Sequence, residues 1–249
     1  MENWKQAEHF RLFSAGQGIL EKQGCVVDDH QYAILFWQQW FQKSGRPAVL
    51  VSIDFHPDTD PPFWLYSYQK ALAKVPDIED EKRLTEKQEA VQEKLLGGMD
   101  ARDTASVTAQ MSKMNNDEQI RTAMALGILK DYHMINCMAA HRYAQGTHYL
   151  VPEAHYGDLS DAMFESCGFS LESLGSKEPL VLDIDLDYFP SPSFDTAGPV
   201  FKTLVRRAAV ISTARSRTYF DYLKDQKEKD FTMQQCEAGC LALLNHCLE

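Results

Sequence analysis

Two hydrophobic rhythms alternate along the chain. Unbroken apolar runs at Ala48–Ile53 and Leu180–Ile184 carry the pattern of strands covered on both faces, and shorter runs at Gly24–Val27, His148–Val151 and Ala208–Thr213 read the same way. Between them, amphipathic stretches predict helices at Asp29–Gln42, where Trp37, Trp40 and Phe41 supply an apolar face, at Asp117–Ala144 and at Ser193–Arg207. The alternation predicts an α/β protein, a three-layer α/β/α sandwich around a mainly parallel sheet, with function at the carboxyl ends of the strands. Residues 74–113 break the rhythm. They are rich in Glu, Lys, Gln and Asp and are interrupted by Gly97-Gly98, so they read as a charged helical excursion: a solvated hairpin, or a flap beside the site. The rest reads as one domain over residues 1–249, a length able to close a large core.

Polar residues interrupt the two strongest strands in a regular way. Ser-Ile-Asp54-Phe-His56-Pro-Asp58 and Leu-Asp183-Ile-Asp185-Leu-Asp187-Tyr place an acid or imidazole at every second position of a buried strand end. Period-two alternation aims each set to one side. Carboxylates converging there repel one another and resist desolvation unless a cation neutralises them. Oxygen-rich ligation with a minority of imidazole suits a hard or borderline divalent ion, Mn²⁺ better than a structural zinc. The number of acids exceeds what one ion needs and suits two ions roughly 3.5–4 Å apart. His30, where the first strand runs into a helix, can face the same end of the sheet.

These residues resemble a family. Asp29-His30-Gln31, Asp54-Phe-His56-Pro-Asp58 and Asp183-Ile-Asp185-Leu-Asp187 occur in the chain order of the metal motifs of arginases and agmatinases. Val-Pro-Glu153-Ala-His155-Tyr-Gly and Asp-Ile-Asp-Leu-Asp-Tyr-Phe are similar to a shorter branch of that superfamily that includes bacterial peptide arginases, which hydrolyse arginine side chains of a ribosomally made precursor peptide to ornithine and urea. The resemblance runs with gaps from about Val26 to Tyr219. It implies an arginase-like fold and two Mn²⁺ ions per chain. His30, Asp54, Asp58 and one later acid would hold the first ion; Asp54, His56 and two later acids would hold the second. The triple acid leaves two registers, Asp185 with Asp187 or Asp183 with Asp185, of which the first aligns Asp183 with a family serine. Asp58 would also orient the attacking water and pass its proton to the leaving amine. A metal pair acidifies water, so no nucleophilic side chain is required.

The resemblance fails at the substrate. Arginases place a guanidinium-binding Glu on the last core strand, whereas Val210-Ile211-Ser212-Thr213-Ala214-Arg215 has no acid. Candidate substrate-binding residues are therefore Asp117 and Glu118 before the long predicted helix, Glu153 and His155, and Asp60. Asp117 also reads as a helix N-cap, and Glu153 and His155 as loop surface. Asp60 stands where the family has an Asn that binds a free α-carboxylate. An acid there favours a substrate whose carboxylate is tied up in a peptide bond. The implied partner is an arginine-containing precursor peptide, and the oligomeric state is left open. The competing readings are a ureohydrolase or deacetylase of a small guanidine or amide, and a metal-binding protein without catalysis.

Composition adds little but agrees. A formal net charge of −11 disfavours nucleic acid and attracts cations. The six cysteines form no Cys-x-x-Cys pair, no charged-then-apolar leader opens the chain and no apolar run reaches roughly 18 residues, so the reading is a cytoplasmic protein without a membrane partner and with reduced thiols.

Overall fold

The structure, a computed structural model, describes residues 10–75, 80–138, 145–175, 177–192, 194 and 197–249, with the side chains of 19 and 225–227 excepted. The ends of two predicted helices, residues 139–144 and part of 193–196, lie outside the described residues, as do residues 1–9 of the predicted domain and 76–79 of the excursion.

Among the described residues seven strands form one sheet: β1 (Phe10–Ala15), β2 (Lys22–Val27), β3 (Ala48–Asp54), β4 (Leu129–Asn136), β5 (Thr147–Leu150), β6 (Leu180–Asp185) and β7 (Ala208–Ala214). Their order is β1-β2-β7-β6-β3-β4-β5, and every pairing is parallel except that of β1 with β2. β3 is buried at all seven positions and β6 at all six, as their unbroken apolar runs require. Alternate residues feed two cores. Val49, Val51 and Ile53 pack with Met163, Phe164, Phe201, Leu204 and Leu244 on one face of the sheet. Ala48 and Leu50 pack with Ile34, Trp37, Val107 and Ile120 on the other. A fully buried Leu, Ile or Phe contributes roughly 1.5–3 kcal/mol, so both faces are held firmly.

The helices supplying those side chains complete an α/β/α sandwich. α1 (Ala33–Ser44), α4 (Thr104–Thr108) and α5 (Gln119–Ala125) cover one face; α6 (Asp161–Cys167), α7 (Pro199–Arg207) and α9 (Met233–Leu248) cover the other. α1 ends at Gly45, whose left-handed backbone (φ 65°) lets its N–H close on the Phe41 carbonyl. α2 (Trp64–Leu72) and α3 (Glu81–Leu96) pair through Ala71, Val75 and Leu84, so the excursion's long helix is one arm of a hairpin whose other arm, α2, precedes residue 74. α8 (Arg217–Lys227) follows β7.

One predicted helix is two elements. Asp117–Ala144 divides into α5 and strand β4, because Gly127 takes a left-handed backbone (φ 68°) that stops the helix and Leu129–Asn136 then pairs in parallel with β3. All six cysteines are free. No described helix is long and apolar enough to cross a membrane.

Candidate metal centre

The chemistry-bearing side chains gather where three parallel strands end. Asp54 is the last residue of β3, Asp185 the last of β6, and His30 opens a 3-10 turn (His30–Tyr32) just beyond β2. Asp187 sits in a second 3-10 turn, Leu186–Tyr188, capped by Asp185, whose Oδ1 accepts the Asp187 N–H at 3.2 Å. His56 and Asp58 follow β3, with Asp58 held at φ 34°. A non-glycine residue in that region stores strain that its surroundings must offset, and such strain concentrates at working sites.

The side chains fall into two groups whose ligand atoms lie within 4.8 Å of one another: His30, Asp54, Asp58 and Asp185, and Asp54, His56 and Asp187. Asp54 belongs to both. Its Oδ1 accepts the His56 backbone N–H at 2.7 Å, while Oδ2, fully buried, has no hydrogen-bond donor. Around His30 the crowding is greater: Nδ1 lies 2.7 Å from Asp58 Oδ2, 3.2 Å from Asp185 Oδ2 and 3.5 Å from Asp54 Oδ2. One nitrogen cannot satisfy three carboxylates. In the second group His56 Nδ1 lies 2.9 Å from Asp187 Oδ2.

The electrostatics record the same congestion. Burial, then the charges of Asp58, Asp187 and Asp185, push the Asp54 carboxyl well above its usual range. Burial and Asp187 raise Asp185. Burial alone would lower His30, but Asp183 and the hydrogen bonds to Asp183, Asp185 and Asp58 hold it well above its ordinary value. Acids in this state take up protons or a cation. The donor set, mostly carboxylate oxygen with one imidazole per group, together with the unpartnered Asp54 oxygen, fits divalent metal ions. The buried His/Asp cluster at the end of the sheet can hold metal and suits a metal-dependent enzyme.

Asp183 lies outside both groups. Its Oδ2 stands 2.7 Å from His30 Nε2 and accepts from Ser52 Oγ at 2.9 Å, and its Oδ1 accepts from Ser212 Oγ at 2.5 Å. This carboxylate fixes His30 with Nε2 protonated, which frees the Nδ1 lone pair for a metal. Two further groups brace the site. Gln119 Nε2 donates to Asp58 Oδ2 at 3.1 Å, and the Ser216 hydroxyl, itself on a left-handed backbone (φ 38°), donates to Asp185 Oδ2.

A cleft of about 160 Å³ opens onto these residues. His56, Asp58, Asp185 and Asp187 form its floor, with Thr59, Asp60, Asn116, Asp117, Met138, Ser216 and Tyr219 among the surrounding residues. Of the candidate substrate residues, Asp60 and Asp117 line it. The two segments are tied together by the Asp60 N–H donating to the Asp117 carbonyl at 2.9 Å. Burial, then Asp58 and Asp60, raise Asp117 to about 6. Glu118 is turned away: 1% exposed, it accepts the N–H groups of Asn115 at 3.2 Å and Leu65 at 3.4 Å, and burial raises it to about 7. Glu153 and His155 form a 3-10 turn outside the cleft, His155 facing Asp158 at 3.2 Å; Tyr156 beside them packs edge-on against Phe55. No described residue of the 74–113 excursion lines the cleft.

Sequence reasoning missed Thr59, Met138, Gln119, Ser216 and Tyr219. Ser216 and Tyr219 had a usable signal, since they follow the carboxyl end of β7 as the ligands follow β2, β3 and β6. No protein-family model matches the chain, and no curated protein matches it.

Proposed function

We propose that the chain is a binuclear manganese hydrolase that converts arginine side chains of a ribosomally made precursor peptide to ornithine and releases urea. The observation that carries this reading is Asp54: it is common to both ligand groups and keeps a buried carboxylate oxygen without a donor, and its fellow ligands His56, Asp58, Asp185 and Asp187 line an acidic cleft. The chain order of the three arginase-like motifs supports the same chemistry. His30, Asp54, Asp58 and Asp185 would hold one ion, and Asp54, His56 and Asp187 the other. When bound, two divalent ions acidify water near neutral pH and offset the negative charge that develops in acyl-type substitutions.

The remaining work falls to side chains. Asp58, steadied by Gln119, takes a proton from the attacking water and returns it to the departing amine as the bond from the guanidinium carbon to the side-chain nitrogen breaks. Asp183 keeps His30 in one tautomer throughout. Asp60 repels a free α-carboxylate at the mouth of the cleft, which favours arginine within a peptide over the free amino acid.

The test is urea release by the manganese-loaded protein from an arginine-containing peptide, free arginine and agmatine, with metal analysis of protein purified without chelators. The peptide is expected to turn over in preference to free arginine, and Asp54→Ala to abolish turnover. Turnover of agmatine alone would replace the peptide by a small guanidine. Release of urea from none of the three with manganese bound, or undiminished activity in Asp54→Ala, would overturn the reading.

A further inference from the structure

The cleft has two unlike sides. Its floor carries the metal-ligand groups, whereas one wall is built from Thr59 and Asp60, which follow Asp58, and from Asn116 and Asp117, which precede α5. That wall holds acceptors without donors. Thr59 is 1% exposed and its hydroxyl has no hydrogen-bond partner, although it borders the cleft. Asp117 Oδ1 is likewise buried and unpartnered. Nor is Asp117 spent on capping, since the N-cap position of α5 is Glu118 and no side-chain cap bond is made there. A buried polar atom left unpaired costs about 1–3 kcal/mol, so two on one wall mark a place where something else completes the bonding.

Among the described residues the lining of the cleft is acidic, although Arg121 acts on Asp60 from nearby. It includes five Asp residues and no Lys or Arg among the described residues, and His56 faces Asp187. Tyr219, from the first turn of α8, also lines the cleft. Its ring packs on His56 with centroids 4.7 Å apart, and its hydroxyl interacts with the Asn116 side chain. An aromatic face beside carboxylates is a setting for a flat cation, which gains from the ring and from the acids together.

Resting on the hydrolase reading above, we infer that Thr59 and Asp117 form the guanidinium-binding wall of the cleft, with Tyr219 stacking on the bound cation, and that this wall replaces the strand acid missing from β7. A guanidinium offers five N–H donors in one plane, enough to satisfy the unpaired Thr59 and Asp117 oxygens at once. Its carbon is thereby held beside the floor of Asp58, Asp185 and Asp187. A neutral ureido group of the same shape satisfies the hydrogen bonds in part but forfeits the charge.

The discriminating pair of probes is N-acetyl-arginine amide and its neutral isostere N-acetyl-citrulline amide, titrated calorimetrically into the manganese-loaded full-length chain while urea is followed separately. Wild type is expected to bind the arginine probe at least about tenfold more tightly than the citrulline probe. Asp117→Asn, which preserves shape and the backbone bond to Asp60, is expected to weaken the arginine probe about 10- to 100-fold, as loss of a charge-assisted hydrogen bond implies, with little effect on the citrulline probe. Where urea is released, the loss appears in KM with kcat changed much less. Tyr219→Phe is expected to keep most of the affinity and Tyr219→Ala to lose it. Equal binding of both probes by wild type, or an unchanged affinity in Asp117→Asn, would overturn the assignment. Arginine-selective binding without urea release would leave the wall standing and refute only the hydrolase reading.

Discussion

Asp183 shows how one carboxylate differs from its neighbours two residues away. All three acids of Asp183, Asp185 and Asp187 were legible as a metal-seeking set, but period-two alternation places Asp183 and Asp185 on the same face and says nothing of depth along the strand. In the folded chain Asp183 is one step further inside, ringed by His30, Ser52 and Ser212. Its influence on a metal held by the two ligand groups would run through His30. Asp183→Asn should therefore keep the fold while lowering manganese affinity roughly 10- to 100-fold, the usual consequence of losing a carboxylate behind a histidine ligand. Equilibrium dialysis with a thermal melt as the fold control checks this; affinity equal to wild type would return Asp183 to a purely structural role. His30 itself was legible by its place after a strand, whereas Gln119 was not, because an amide inside a helical run carries no sequence mark of facing an active site.

Among the elements, strands with unbroken apolar runs were readable and those with mixed composition were not. β3 and β6 match their predicted spans closely. β4 was hidden inside a predicted helix because Lys130 and Asp131 dilute its apolar run, and only pairing with β3 settles its conformation. β1, on the sheet edge with Leu12 exposed, gave no burial pattern to read. The join between α5 and the Pro61–Leu65 segment is held by Glu118, whose carboxylate gathers amides from both sides. Its folded pKa of about 7 lies above the ordinary value of 4.5. A raised carboxyl contributes stability that is complete below 4.5 and is lost as pH climbs through about 7. The difference in melting temperature, Glu118→Gln minus wild type, should thus grow more positive from pH 4.5 to 7 and level off above. A difference that stays flat across that range would mean that Glu118 is not burying its charge.

For the whole molecule, net charge −11 and a cleft lined by acids set the long-range behaviour. A divalent ion held by the two ligand groups would bind the folded but not the unfolded chain and so raise the melting temperature by mass action. Chelation should lower it, and Asp54→Ala should erase the difference between metal-loaded and chelated protein, as differential scanning calorimetry would show. A cationic peptide is steered toward such a surface, and steering weakens with salt. For a cationic arginine peptide kcat/KM should therefore fall between about 0.05 and 0.5 M salt with kcat nearly constant, in stopped assays of urea; a salt-independent kcat/KM would place recognition in short-range contacts alone. The sandwich and the sheet end that carries the site were legible at this scale, since alternation of strand and helix fixes them. The cleft walls were not, because they come from connections whose conformations, such as those of Asp58 and Ser216, are imposed by their surroundings.

The strand order carries a consequence for how the molecule comes together. β7 lies between β2 and β6, so the seat of His30 beside Asp183 exists only once a strand at residues 208–214 has slotted in next to one at residues 22–27. Closing so wide a separation is the slow kind of folding event. The ligand group around His30 is thus completed only after β7 has been made, whereas Asp54, His56 and Asp187 need no more than the adjoining β3 and β6, so the two halves of the centre mature at different stages of folding.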